Sequence, residues 1–309
     1  MPRIPRLLLQ GESATYHVIS RSALPGFVLG DLEKDHLLAL ARKLSRVYFA
    51  EVLGFCLMGT HFHLVVRMHT GEGVGDDELR ARFRRYYGED SKRVLLDGQL
   101  PTLRQKWASL SEFVKDLKQS FSRWYNRTHH RRGFFWGERF KSVLVEDGDT
   151  LVNCLAYVDL NPVRAGLVDR PEDYRWSSLG YHLQTGNADG FLSLDLGLRA
   201  FSDADDAERL RLYRRFVYEA GAIPGGHGAA VSEQALQAEE GRNFAITPLQ
   251  RFRCRCRYFT DSGVIGTKRF VAACAARFES HFTCRQPKKP QSIAGLDGIF
   301  SLKRLRNAA

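Results

Sequence analysis

The stretch that most limits how this chain can fold is Gly59-Thr60-His61-Phe62-His63-Leu64-Val65-Val66. Read at a strand's period of two, it splits into two unlike faces. Phe62, Leu64, Val66 and Met68 make a wholly apolar face; His61, His63, Val65 and Arg67 make the other, with two imidazoles together at its start. Histidines at i and i+2 of a strand point in parallel and can grip a divalent metal ion. The same spacing suits a half-exposed strand whose polar side faces solvent. Taken alone, it leaves both readings open.

The flanking segments give this strand a place. Residues 14–21 carry β-branched and aromatic residues and read as a first strand, and a turn follows at Pro25-Gly26. From Leu32 to Tyr48 the apolar residues Leu37, Leu38, Leu40, Ala41, Leu44 and Val47 form a helical stripe. Glu51–Met58 is a second strand, and the histidine strand comes third. Residues 70–107 read as an inserted subelement: a glycine-rich loop, a short arginine-dense helix from Leu79 to Tyr87, then a loop around Asp97-Gly98. Ser109 or Ser111 caps a second long helix with core stripe Phe113, Leu117, Phe121 and Trp124 or Tyr125, and Glu112 completes a capping box. Phe140–Glu146 is a fourth strand, and Asp149 or Thr150 caps a third helix over 150–160.

The order β-α-β-β-α-β predicts an α+β, ferredoxin-like (split βαβ) core: an antiparallel sheet with helices on one face. The imidazoles then lie on the open face, where a substrate can reach them. On the third helix Leu151, Cys154, Leu155 and Val158 mark the buried side, while Asn153, Tyr157 and Asn161 share a neighbouring, more exposed one. Pro162 is expected to end this helix and hold Asn161 extended. A tyrosine with a pKa near 10 needs a metal or base to act as a nucleophile, and an amide four residues on can offer an oxygen to the same metal.

Composition bears on the partner. Lys plus Arg outnumber Asp plus Glu by 46 to 35 in 309 residues, a net charge of +11 that favours a polyanion, nucleic acid before an anionic membrane. No segment approaches the roughly 18 consecutive apolar residues of a membrane span, and the N-terminal apolar run is too short for a secretory signal. The six cysteines are too scattered for a disulfide framework, so reduced thiols in a cytoplasm are expected. Arg127, Arg131 and Arg132 interleave with His129, His130, Phe134 and Trp136, a composition suited to single-stranded nucleic acid. Arg82 and Arg85, beside Phe83, Tyr86 and Tyr87, suit either phosphate contacts or a solvated helix face.

These segments together resemble the REP-associated branch of the single-tyrosine, His-hydrophobic-His (HUH) transposases. The likeness runs in order from about residue 14 to 182: Tyr16-His17-Val18-Ile19-Ser20-Arg21, Met58-Gly59-Thr60-His61-Phe62-His63-Leu64, Tyr125-Asn126-Arg127-Thr128-His129, Trp136-Gly137-Glu138-Arg139-Phe140-Lys141-Ser142, Tyr157-Val158-Asp159-Leu160-Asn161-Pro162-Val163-Arg164, and Tyr174-Arg175-Trp176-Ser177-Ser178. The resemblance implies a cytoplasmic, nucleoid-associated bacterial DNA endonuclease and strand transferase. It implies Tyr157 as nucleophile, His61, His63 and Asn161 as ligands of Mg²⁺ or Mn²⁺, no nucleotide cofactor, and a 5′-phosphotyrosine intermediate. The implied substrate is single-stranded hairpin DNA of the REP type, bound by a monomer or homodimer, with Arg127, Arg131, Arg132, Trp136, Arg139, Lys141, Arg82 and Arg85 as DNA contacts. The insertion-sequence relatives carry Gln where this chain has Asn161, and compact members lack residues 70–107.

The expected organisation is a nuclease domain over 1–185, a helical segment over 186–220, a linker over 221–232, and a basic, candidate DNA-binding region over 233–309 within a mainly helical extension. Cys254, Cys256, Cys274, His281 and Cys284 lack a matching second knuckle, so structural zinc is not expected. A non-catalytic single-strand-binding protein on the same fold is the competing reading. A two-histidine phosphoesterase would need paired His-x-Ser/Thr elements, and the sequence has a single one, His281-Phe282-Thr283, while the histidine strand carries His-x-His.

Overall fold

The computed structural model describes residues 6–9, 11–194, 205–222, 229, 231, 263–281, 288–293 and 296–302. Strands β1 (Ala14–Arg21), β2 (Ala50–Leu57), β3 (His61–Met68) and β4 (Lys141–Val145) pair in the order β2-β3-β1-β4, all antiparallel. Helix α1 (Asp31–Ser45) joins β1 to β2, and α4 (Leu110–Thr128) precedes β4. These two helices pack on each other. Ser109 caps α4, its Oγ accepting from the Glu112 amide at 3.3 Å.

The apolar side of β3 meets this helical layer. Phe62 sits edge-on to Trp136 at 5.4 Å, Trp136 packs on Phe121 of α4, and the Trp136 indole donates to the Lys118 carbonyl at 2.9 Å. The histidine side is covered too, which corrects the expectation of helices on one face only. Helix α5 (Asp149–Asp159) lies against β2 and β3, and its residues 150–159 are buried all round. Gly54 makes this approach possible. It sits at a register shift in β2, and a Cβ there would come 2.5 Å from Leu155 Cδ2.

Two contacts lock α5 from outside: α7 (Ser178–Thr185) and α8 (Asp206–Gly221). The buried Asp159 carboxylate accepts from Ser178 Oγ at 2.8 Å, the Leu179 amide at 2.9 Å and Tyr213 Oη at 2.7 Å. Pro162 does not end the helical path as expected. Asn161–Arg164 forms a short helix, α6, with Pro162 in its first turn, where a missing N–H leaves no partner unsatisfied.

Two features depart further from the expected plan. The insert holds α2 (Asp76–Tyr87) and a second helix, α3 (Leu100–Trp107), pegged to the core by the fully buried Leu79 and Trp107. It leaves the sheet after Met68, at the end of β3 opposite His61, about 23 Å away for seven strand steps. The C-terminal region adds strands as well as helices among the described residues. Beyond helix α9 (Lys268–Arg277), it extends the sheet with β5 (Val264–Gly266), β7 (Leu296–Ser301) and β6 (Gln291–Ile293). β5 pairs parallel to β4, so the seven-stranded sheet is mixed, and the backbone edge that β4 would expose is covered. No helix among the described residues is long and apolar enough to cross a membrane. Cys254, Cys256 and Cys284 lie outside the described residues.

Candidate active site

The register of β1 on β3 builds the site. Ile19 pairs with His63 and His17 with Val65, so His17 stands diagonally beside His63 on the same face. Their rings stack at 5.2 Å and 15°, with His17 Nε2 3.0 Å from His63 Nδ1. His61 stands edge-on to His63 at 5.0 Å, and its Nδ1 is 2.9 Å from Thr60 Oγ1. Tyr157 descends from α5 with its ring edge-on to both His63 (5.7 Å) and His17 (5.8 Å). The Arg164 guanidinium of α6 lies 5.6 Å from the centre of the Tyr157 ring.

The cluster is drier than an open sheet face would be. His17 is fully buried, His63 is 2% exposed and Tyr157 6%, while His61 and Arg164 are half-buried at its border. Burial, reinforced by the neighbouring His17, His61 and Arg21, holds the His63 pKa well below the usual histidine range. Burial and then Arg21 lower that of His61 to about 4. Both rings are therefore neutral at pH 7, the form that ligates metals.

His63 Nε2 is buried with no hydrogen-bond partner among the described residues. Such an atom is costly unless something binds it. In the tautomer in which His63 Nδ1–H donates to His17, that nitrogen presents a lone pair. A hydrogen-bond partner on the other ring nitrogen fixes the tautomer and orientation of a ligating histidine, and His17 is placed to do this for His63. The donor set fits a divalent ion to that extent. It contains no carboxylate, and among the described residues no three His, Cys, Asp or Glu side chains are grouped to hold a metal.

The remaining predicted residues separate. Asn161 turns its amide nitrogen back to the carbonyls of Tyr157 (2.9 Å) and Val158 (3.3 Å), capping α5, and makes no hydrogen bond with either histidine. Arg127, Arg132, Arg139 and Lys141 are exposed, and Arg131 is half-buried. Trp136 is a core residue rather than a surface contact, because its indole is spent on the sheet-to-α4 packing. Arg82 and Arg85 are also committed. Arg82 Nη1 donates to the carbonyls of Val47 and Tyr48 at 3.0 Å each, and Arg85 to that of Arg46 at 2.7 Å, which closes the C-terminal end of α1. His17 and Arg164 join the site without being singled out for it by any motif of the sequence. For His17 the signal was present, since alternation along β1 puts Thr15, His17, Ile19 and Arg21 on one face.

Fold and site together define an α+β protein with a buried tyrosine–histidine cluster between sheet and helix. No family model matches the chain, and no curated protein matches it. A solved structure that it resembles is that of the REP-associated tyrosine transposase bound to a REP hairpin, at 15% identity over 60% of this chain and 87% of that one, with a TM-score of 0.37. This is a distant likeness.

Proposed function

We propose that the chain is a transposase-like, metal-dependent DNA endonuclease and strand transferase with Tyr157 as its nucleophile. The single observation that carries the reading is the convergence of Tyr157 with His63 and His17 in one chain, around a buried imidazole nitrogen that lacks a partner among the described residues. The order β2-β3-β1-β4 with α1 and α4 as crossovers is read as the ferredoxin-like arrangement. The motifs along residues 14–182 support the HUH assignment.

In this reading Tyr157 Oη attacks a backbone phosphorus of single-stranded hairpin DNA of the REP type. A Tyr157 O–P bond forms and the P–O3′ bond breaks. The phenolic proton is lost, and the leaving oxygen takes up a proton as a free 3′-hydroxyl, so one phosphodiester replaces another without ATP. His61 and His63 would hold Mg²⁺ or Mn²⁺ through their Nε2 atoms. The ion would supply charge on the non-bridging oxygens and so stabilise the transition state. His17 fixes the His63 tautomer, and Arg164 adds positive charge beside the phenol. Asn161 serves first as the cap of α5, with only its Oδ1 left to offer. The buried position of Tyr157 requires α5 or its cover to give way when DNA arrives.

The test is to incubate the full chain, Mg²⁺ or Mn²⁺ and a hairpin oligonucleotide, then look for a denaturation-resistant adduct. Wild type forms it and Tyr157→Phe does not. Equal behaviour of the two contradicts the mechanism: an adduct from both moves the nucleophile elsewhere, and none from either leaves a non-catalytic single-strand-binding protein.

A further inference from the structure

The insert contains a cavity that the Tyr157 site does not use. It lies between α2 and the segment 88–95, with a volume of ≈ 300 Å³. Its lining includes Arg80, Phe83, Arg84, Tyr87, Glu89 and Arg93. Phe83 and Tyr87 lie 4.6 Å apart at 55°, and the Arg93 guanidinium sits over the Tyr87 ring at 4.6 Å.

The arginines here differ in freedom. Arg80 is tied to Asp97 and to the Leu95 carbonyl. Arg84 is more than half exposed, and its acidic partner among the described residues is the exposed Glu89, at 3.9 Å, a pairing worth little in water. Arg93 has no acidic partner among the described residues. A guanidinium resting on a tyrosine offers its outer face to a second planar ring and its edge to a phosphate. An acidic peptide would satisfy the charges and leave the two aromatic rings without a purpose. A nucleobase with its phosphate uses both.

We propose that this pocket binds a nucleotide unit of a single-stranded nucleic acid, with the base against Tyr87 and Arg93 and the flanking phosphates at Arg84 and Arg93. It is a second site, at the end of the sheet opposite His61. Its choice of a nucleic-acid strand rests on the proposed function, but its geometry does not.

The experiment measures binding of fluorescein-labelled oligothymidylate to the full chain by anisotropy across a salt series. The variants are Tyr87→Ala, the pair Arg84→Gln/Arg93→Gln, and the control pair Arg211→Gln/Arg215→Gln on the exposed side of α8. Tyr87→Ala weakens binding about tenfold, the low end of base–aromatic stacking. Loss of two phosphate contacts makes the log–log salt dependence shallower by about 1.4. The control pair, with the same change in net charge, leaves that slope in place. Wild-type binding in all variants, an equal loss in the control pair, or no binding by wild type overturns the proposal. Polyglutamate competing as well as the oligonucleotide overturns the base contact, and thymidine monophosphate competing as well overturns the strand. The adduct assay runs in parallel on the same proteins. Pocket-dependent binding without an adduct overturns only the proposed function, and an adduct with pocket-independent binding overturns only this inference.

Discussion

Asp159, two residues after Tyr157, ties the tyrosine helix to its cover, and its titration can be read in the stability of the whole fold. The carboxylate is fully buried, and burial pushes its pKa from 3.8 up to about 6 despite the donors from Leu179, Tyr213 and Ser178. A shift of that size corresponds to about 3 kcal/mol between the two protonation states. With the folded pKa above the unfolded one, the native state binds the proton more tightly. The stabilisation is fully present below the unfolded value and is lost as pH rises through the folded one. Asp159→Asn cannot titrate. It keeps an acceptor for Ser178 and Leu179 and turns an amide toward Tyr213. Urea unfolding of both proteins at about pH 4 and about pH 7 should therefore show the stability of wild type relative to Asp159→Asn falling by about 2 kcal/mol across that interval, most of the full shift. His61 and His182, both held near a pKa of 4 by burial, act in the opposite direction in each protein and cancel in the difference. A difference that does not change with pH would refute the reasoning. Asp159→Ala strands three buried donors at about 1–3 kcal/mol each. Set against the relieved burial of charge, it should cost about 3 kcal/mol at neutral pH.

Three further outcomes are expected. Arg82→Ala removes the closure of α1 and should lower stability by about 1–2 kcal/mol, with single-strand affinity unchanged by anisotropy; a loss of affinity at constant stability would restore Arg82 as a nucleic-acid contact. His17→Phe keeps a ring in place but loses the partner of His63 Nδ1. Adduct formation should fall about 10- to 100-fold and require more metal for half-maximal rate, as for other residues that orient metal ligands. Chelation with EDTA should abolish the adduct and leave oligothymidylate binding intact, with activity recovered on adding excess Mn²⁺.

The core strands and the two faces of β3 were legible in the sequence because each rests on local alternation: Phe62 does meet α4's layer through Trp136, and His63 does face the other way. The burial of Tyr157 was not legible. Helical spacing put Asn153 and Tyr157 on a more exposed side, yet α5 is covered by strands on one side and by Tyr213 of α8 on the other. That cover comes from a segment more than fifty residues downstream. β5 and β6 are three residues long, too short for a periodic signal; β5 takes its place by pairing with the edge of β4, and β6 by pairing with β7. The arginine-dense helix shows a similar limit. Composition marks its charge, but only the folded chain shows that Arg82 and Arg85 serve the end of α1 while Arg84 and Arg93 face a cavity.

The central claim is that Tyr157 exchanges a DNA phosphodiester for a tyrosyl one. Its most direct measurement is to digest the adduct formed with Mg²⁺ or Mn²⁺ and a hairpin oligonucleotide, and to map the modified peptide by mass spectrometry. The account predicts a 5′-phosphonucleotide on the peptide containing Tyr157, released with a free 3′-hydroxyl on the other fragment. A nucleotide attached at another residue, or a 3′-phosphate left on the cleaved strand, would contradict it.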